Sequence, residues 1–471
     1  MRAGLQAIVA FNWIAPAVIF RRLESQNPNI AWLDSGPNAT TGWSFICPAD
    51  REPEIGVNRP AEQESLVQAV RNALQQLRVV LSKERRIGET FESDLNALDS
   101  RTSRQFAAPF QLGVVGWLGF EASSATLGVN PKLKSRYQDC AFFKVSRMIA
   151  FDHKQQAVWL VAENHPESEK WLLELGRMFD EPSTQPEQLT SPPSNVQSVW
   201  HDSDSDYLEK IQVCKEHIRN GDAYQLCLTN EASVGGTIDE VETYFRLREA
   251  NPSHHGGIVR IGSTSLISSS PEVFLSATAK GKIFTSPIKG TRPRGKTPAE
   301  DEALKHELQD DPKERAENIM IVDLVRNDLG RTCLESTIRV ERLCEVESYP
   351  KVHQLVSTVS GMLRPEFETL DAIEALFPAG SMTGAPKIRS VELLSDIESR
   401  PRGIYSGVFG WIGYDGACEL AMVIRSIVID ENGATVGSGG GITASSIAES
   451  ELAEVKLKAR VLLEALGANV R

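Results

Sequence analysis

Residues 311–331 read Asp311-Pro312-Lys313-Glu314-Arg315-Ala316-Glu317-Asn318-Ile319-Met320-Ile321-Val322-Asp323-Leu324-Val325-Arg326-Asn327-Asp328-Leu329-Gly330-Arg331. An aspartate before a proline is a helix start. The carboxylate caps free backbone N–H groups, and proline at the first helical position lacks an N–H that would go unpaired anyway. The pattern predicts a helix from Pro312 to Val325, and Glu314 and Glu317, three apart, share one of its faces. A second helix is predicted from Ile447 to Leu466, opened by Ser446-Ile447-Ala448-Glu449 as a capping box, and there Glu451 and Glu454 repeat the spacing. Either pair alone has an ordinary explanation, since acidic residues offset the helix dipole in a first turn. What sets them apart is the loop expected before each, Gln309-Asp310-Asp311-Pro312 and Gly437-Ser438-Gly439-Gly440-Gly441. Hard oxygen donors converging from two helices suit Mg2+, which keeps several waters and is shared with an anionic substrate.

The glycine stretch lets backbone N–H groups approach an anion closely just before a helix N-terminus. It is not a dinucleotide fingerprint, because Ile442 stands at the sixth position counted from Gly437. Further upstream, Ser286-Pro287-Ile288-Lys289-Gly290-Thr291-Arg292-Pro293-Arg294-Gly295 holds a lysine between a strand end and a turn rich in proline and glycine. Most lysines are solvated; one that is partly desolvated near other cations is uncharged often enough to act as a nucleophile.

Around these segments the chain reads as strand-rich α+β material. Strands are predicted at Tyr224 to Leu228, Leu266 to Ser269, Val273 to Ala277, Ile283 to Ser286, Ser357 to Leu363 and Ala421 to Ile429, with a further helix at Lys387 to Ile397. Residues 181–204 are rich in proline, serine and glutamine and read as a linker between an N-terminal domain, 1–180, and a second domain, 205–471.

The composition of the 471 residues, 41% hydrophobic and 24% charged, is that of a globular protein. A net charge of −13, from 50 basic and 63 acidic residues, argues against a general nucleic-acid binder. The seven cysteines are scattered and form no CxxC pair, so neither a disulfide framework nor a zinc site is expected, and a reducing, cytoplasmic setting fits best. The apolar run from Ile8 to Phe20 is interrupted by Asn12 and Pro16 and is too short to span a membrane.

Taken together, the segments resemble the component I family of chorismate-using enzymes: the anthranilate, aminodeoxychorismate, isochorismate and salicylate synthases. The resemblance runs from about residue 205 to 466, more loosely over the first 150 residues. It rests on Pro287 to Arg294, Asp311 to Arg331, Val352-His353, Phe377-Pro378-Ala379-Gly380-Ser381-Met382-Thr383-Gly384-Ala385-Pro386-Lys387, Arg402-Gly403-Ile404-Tyr405-Ser406-Gly407 and Gly439-Gly440-Gly441-Ile442. It implies an α+β fold of the anthranilate synthase component I type, with large antiparallel sheets packed in a sandwich and helices outside.

Within the family, Lys289 stands where anthranilate synthases resemble one another in having alanine, and lysine there is typical of aminodeoxychorismate synthases. Ser381 stands where anthranilate synthases usually have threonine. Gln225 stands where isochorismate and salicylate synthases carry the lysine that activates water. The resemblance thus implies Mg2+-dependent amination of chorismate at C4 through a covalent Lys289 adduct, the first committed step toward 4-aminobenzoate and folate. It implies Glu314, Glu317, Glu451 and Glu454 around the metal, Glu272 as general acid and His353 as an orienting catalytic residue. Gly290, Thr291, Ser381, Gln225, Tyr405, Arg425 and the N–H groups of Gly439, Gly440 and Gly441 would bind substrate. No cysteine sits in a glutaminase-like Gly-x-Cys-x-Gly setting, so ammonia is expected from solution or from a separate glutaminase subunit. An anthranilate or 2-amino-2-deoxyisochorismate synthase is the alternative within the family, and a chorismate-binding regulatory subunit the alternative outside enzymes.

Overall fold

Apolar runs such as Ile30–Asp34, Gly113–Leu118 and Val408–Gly413 form strands buried on both faces. Alternation divides each strand between two cores: Ile30 and Trp32 pack on the helix side, while Ala31 and Leu33 face the opposite sheet. The computed structural model describes residues 5–9, 13–49, 55–56, 72, 75–81, 106–129, 133–163, 166–180 and 196–469. Among these, a twelve-stranded and a ten-stranded antiparallel sheet pack face to face. The core between them takes Phe45, Met148, Trp159 and Val259 from the first sheet and Val115, Trp117, Phe143 and Trp411 from the second. Helices cover the outer faces, among them Glu240–Ala250 and Ala448–Ala465 on the first sheet and Pro312–Gly330 and Thr369–Leu376 on the second. This is the expected sandwich.

Both sheets take strands from the 1–180 and 205–471 stretches. Ile30–Asp34 pairs with His255–Ile261 in the first, and Gly113–Leu118 with Val408–Gly413 in the second. Of the segment read as a linker, residues 181–195 lie outside the described ones, whereas Val196–Gln197 and Val199–Trp200 are strands. The early apolar run divides into a strand, Leu5–Val9, and a helix, Pro16–Glu24. The seven cysteines are buried and unpaired. No helix among the described residues is long and apolar enough to cross a membrane.

One expected strand is two. Cys418–Met422 belongs to the second sheet and Ser426–Asp430 to the first, and the chain crosses between them at Val423 to Arg425. Arg425 turns the corner with φ of 51°, a left-handed conformation that costs energy for a residue with a Cβ. The chain makes a second crossing at Pro271-Glu272, between Thr264–Ser270 and Val273–Ala277. The two crossings are joined by a bond from Met422 N–H to the Glu272 carbonyl at 2.9 Å.

Beneath this seam lies a buried ion pair. Arg402 Nε and Nη2 donate to the two Glu398 oxygens at 2.8 and 2.7 Å. The guanidinium also donates to the Met382 and Cys227 carbonyls at 2.6 and 2.8 Å. Glu398 in turn accepts from Thr229 N–H and Oγ1. Glu121, whose carboxyl burial pushes up to about 8, accepts from the N–H groups of Arg402 and Gly403. Removing one member of such a pair strands the other charge out of water. Arg402→Leu should lower unfolding stability by about 3–5 kcal/mol, read as a shift in the urea midpoint, and Arg402→Leu with Glu398→Leu should recover part of that loss.

Candidate active site

Lys289 lies on the strand Ile288–Pro293, beside Val352–Met362. The register slips between Ile288 and Thr291: three steps on one strand face two on the other, from Val356 to Gln354. The surplus residue makes a β-bulge, and Gly290, at φ of +83°, supplies the conformation it needs. A bulge re-aims a side chain, and Lys289 lines a cavity of about 1010 Å³. The lysine is half-buried, and among the described residues its amine has no hydrogen bond or ion pair. Its charge nevertheless reaches Glu272, Glu317 and Glu454, in each case favouring the carboxylate.

Glu272, at the crossing, faces the same cavity and accepts a 2.9 Å hydrogen bond from Ser381 Oγ. Burial pushes its carboxyl up to about 7 despite the opposing effects of Lys289 and Ser381. It is therefore partly protonated at neutral pH, as a general acid must be.

Both glutamate pairs line the cavity. Asp311 caps the first helix as expected, accepting from the N–H groups of Lys313 and Glu314 at 2.9 and 3.0 Å. The capping box expected at Ser446 does not form: no side chain caps the helix Ala448–Ala465. Instead Ser446 Oγ donates to Glu451 Oε1 at 2.7 Å and holds that buried carboxylate in place. Burial raises the Glu314 and Glu317 carboxyls. Burial also acts upward on Glu454, but Lys458, 2.8 Å away, brings it below its ordinary value. Lys313 bridges the helices, its Nζ 3.5 Å from Glu451 Oε1 and 4.0 Å from Glu317 Oε1. Among the described residues no three acidic, histidine or cysteine side chains are already gathered into a metal cage.

The opposite wall is suited to anions. The glycine stretch expected as a loop is part of a strand, Gly433–Ile442, paired with Gln225–Gly235. Antiparallel pairs alternate between bonded and open. The Gly439 carbonyl accepts from Lys458 Nζ, and Cys227, opposite Gly441, donates to Thr383. Gly439 and Gly441 thus turn their N–H groups away from the neighbouring strand, along the edge that lines the cavity, whereas Gly440 commits its N–H to the ladder opposite Leu228. Glycine is required by close approach at Gly437, where a Cβ would lie 2.1 Å from the Tyr405 ring. Arg425 faces the cavity with no carboxylate partner among the described residues; its nearest acceptor is the Lys458 carbonyl at 3.5 Å. Burial lowers its pKa, the mark of a cation short of compensation.

Of the expected site residues, Lys289, Glu272, Gly290, Thr291, Ser381, Tyr405, Arg425, Gly439, Gly440, Gly441 and the four glutamates share this cavity. Gln225 does not line it. Its amide is buried without a hydrogen-bond partner behind Gly441, where a Cβ would come within 2.1 Å of Nε2. His353 also lies apart. Its Nε2 is 3.0 Å from Asp301 Oδ1 and its Nδ1 2.8 Å from Ser348 Oγ, while Asp301 also accepts from Arg294 and the Gly295 N–H. The expectation of a catalytic His353 is therefore corrected: on this strand Val352 and Gln354 face the cavity and His353 faces away. Gln354, opposite Thr291 in the ladder, is a cavity residue that the sequence reading missed, as are Lys313 and Lys458. Period-two alternation from Val352 was the available signal for Gln354.

Comparison with known proteins places the chain in a family. Residues 58–464 match the family described as chorismate binding enzyme. Aminodeoxychorismate synthase of Streptomyces pristinaespiralis is 40% identical over 394 residues, 81% of this chain and 55% of that protein. Anthranilate synthase component 1 of Streptomyces coelicolor is 35% identical over 398 residues, covering 79% of this chain and 77% of the other. The crystal structure of anthranilate synthase component I from Streptococcus pneumoniae superposes with a TM-score of 0.74 at 27% identity, over 97% of this chain and 98% of that one. The chain spans about half the length of the aminodeoxychorismate synthases it matches. By the family match across residues 58–464 and by these relatives, the chain belongs to the chorismate-binding enzyme family.

Proposed function

We propose that this chain aminates chorismate at C4, as an aminodeoxychorismate synthase component I, with ammonia from solution or from a separate glutaminase subunit. The observation that carries the reading is Lys289: a bulge aims an unpaired amine into the cavity beside Glu272, a carboxyl held partly protonated. Chorismate carries two carboxylates and a poor leaving group at C4, so the site must grip anions and help hydroxide depart. Arg425, with the Gly439 and Gly441 N–H groups and Tyr405, provides the charge-assisted grip for one carboxylate.

The other carboxylate faces the glutamates, which repel it unless a cation intervenes. Glu314, Glu317, Glu451 and Glu454 are hard oxygen donors, and the Lys313 ammonium between Glu317 and Glu451 marks a place for positive charge. These residues fit Mg2+ and would hold it. When bound, the ion supplies positive charge that offsets the repulsion and orients the ring acid.

In the proposed reaction the Lys289 amine, as its free base, attacks C2, the two conjugated ring double bonds both shift by one position, and the C4–O bond breaks. Glu272 gives its proton to the departing oxygen, which leaves as water. Ammonia then attacks C4, both double bonds return to their first positions, and the C2–N bond breaks to free Lys289. Two displacements leave the configuration at C4 unchanged. Ser381 holds Glu272 in position, and Thr291 and Gln354 line the same region. Anthranilate formation is distinguished by its product, because it releases pyruvate.

Mass spectrometry of the product formed from chorismate, ammonium and Mg2+ tests the reading; anthranilate and pyruvate in place of the C4 amine would overturn it. Lys289→Ala should lower C4 amination about a hundredfold or more, some 2.7 kcal/mol of barrier. Quenched wild-type protein should carry the mass of chorismate less one water, and the variant should not. At a fixed concentration of free ammonia, the pH profile should bend downward into a separate limb above about 7, where Glu272 loses its proton. Glu272→Gln should abolish that limb together with roughly 10²–10⁴-fold of the rate.

A further inference from the structure

Lysine is out of place where Lys313 stands. The first turn of a helix carries partial positive charge, which disfavours a cation there, and Lys313 is the second residue of the helix Pro312–Gly330. Its side chain is about half exposed, yet Nζ reaches across to the other helix, 3.5 Å from Glu451 Oε1, while staying 4.0 Å from Glu317 Oε1. Each remaining glutamate of the cluster has a separate basic neighbour: Glu454 has Lys458 at 2.8 Å and Glu314 has Arg292 at 3.7 Å. Among the described residues Lys313 is the cation that pairs with acids of both helices. Its two contacts are long beside a charge-assisted hydrogen bond of about 2.7–2.9 Å. The ammonium is thus held between the carboxylates without being clamped by either.

Glu451 and the turn bearing Glu314 are placed without it, whereas the ion pair of Glu317 among the described residues is with Lys313 itself. Glu451 is buried and anchored by Ser446 Oγ at 2.7 Å, and the first turn that carries Glu314 is anchored by the Asp311 cap. A half-exposed lysine held at close range by neither carboxylate leaves without rearranging Glu451 or the helix backbone, since its stem already borders solvent.

We propose that Lys313 is the exchangeable counter-ion of this cluster: it holds Glu317 and Glu451 in register before a divalent cation enters and swings to solvent when one does. The proposal rests on the reading that the glutamates bind Mg2+, and it makes Lys313 a positioning residue that acts through Glu317 and Glu451. Lysine and metal then compete for the same oxygens, so removing the lysine strengthens metal binding by the factor with which the metal displaces it.

The test uses Mn2+ as the probe, with free ion measured by electron paramagnetic resonance on the full chain without substrate. Lys313→Met should bind Mn2+ about tenfold more tightly than wild type at low ionic strength, and Lys313→Arg, which restores the cation, should not. Lys458→Met removes an equal charge that pairs with one helix alone and should tighten binding less. Thermal melting gives a second readout: without metal Lys313→Met should melt below wild type, and saturating Mn2+ should close the gap. Unchanged or weaker Mn2+ binding by Lys313→Met, or equal tightening by Lys458→Met, overturns the proposal and leaves the metal site standing. A wild-type chain that takes up no Mn2+ overturns the metal reading and the proposal with it.

Discussion

The buried pair between Arg402 and Glu398 is the constraint on which the rest of the site depends. One guanidinium satisfies two backbone carbonyls, at Cys227 and Met382, from segments far apart in sequence, and its partner carboxylate takes the Thr229 amide and hydroxyl. Charge taken out of water in this way is tolerated because the guanidinium nitrogens and both carboxylate oxygens of the pair are all engaged. The result is a fixed distance between the Gln225–Gly235 strand and the turn that carries Ser381. Ser381 in turn sets the position of the Glu272 carboxyl. The proton delivery proposed for Glu272 thus depends on an ion pair that lies outside the cavity lining.

Two chain crossings between the sheets explain why the chemistry sits where it does. Ladder bonding stops where the chain changes sheets, and the freed backbone and side chains face the gap. Glu272 and Arg425 occupy the two crossings, and their signs of charge are opposite. Burial acts on both against the charged form, raising the acid and lowering the base. For the acid this produces a donor ready near neutral pH; for the arginine it leaves a cation that gains by meeting a carboxylate. Against a net charge of −13, such local positive groups are what allow an anion to enter.

Local signals in the sequence were legible and non-local ones were not. Asp311-Pro312 and the three-residue spacing of the glutamates act within one turn of helix, so both survive in the structure. Ser446 had the composition of a capping box, but its hydroxyl serves Glu451 instead, a choice made by packing. Five residues rich in glycine looked like a loop because their strand character comes from pairing with Gln225–Gly235, two hundred residues earlier in the chain. The apolar stretch from Ala421 to Ile429 concealed a change of sheet at Arg425, since both halves are equally buried. His353 and Gln354 are a question of phase: alternation says that one of them faces the cavity, and only the position of Thr291 across the ladder says which.

The interleaving of early and late strands has a consequence for how the molecule comes into being. Ile30–Asp34 waits for His255–Ile261, and Gly113–Leu118 waits for Val408–Gly413. A nascent chain emerging from the ribosome can complete neither sheet until the strands between Val408 and Ile442 have been made, and until then it presents open strand edges to its neighbours. Contacts of such long range also slow the search for the native arrangement. Closure of the two sheets is therefore a late event that joins distant segments at once, with a window of vulnerability to aggregation set by the time needed to translate the stretch between Leu118 and Val408.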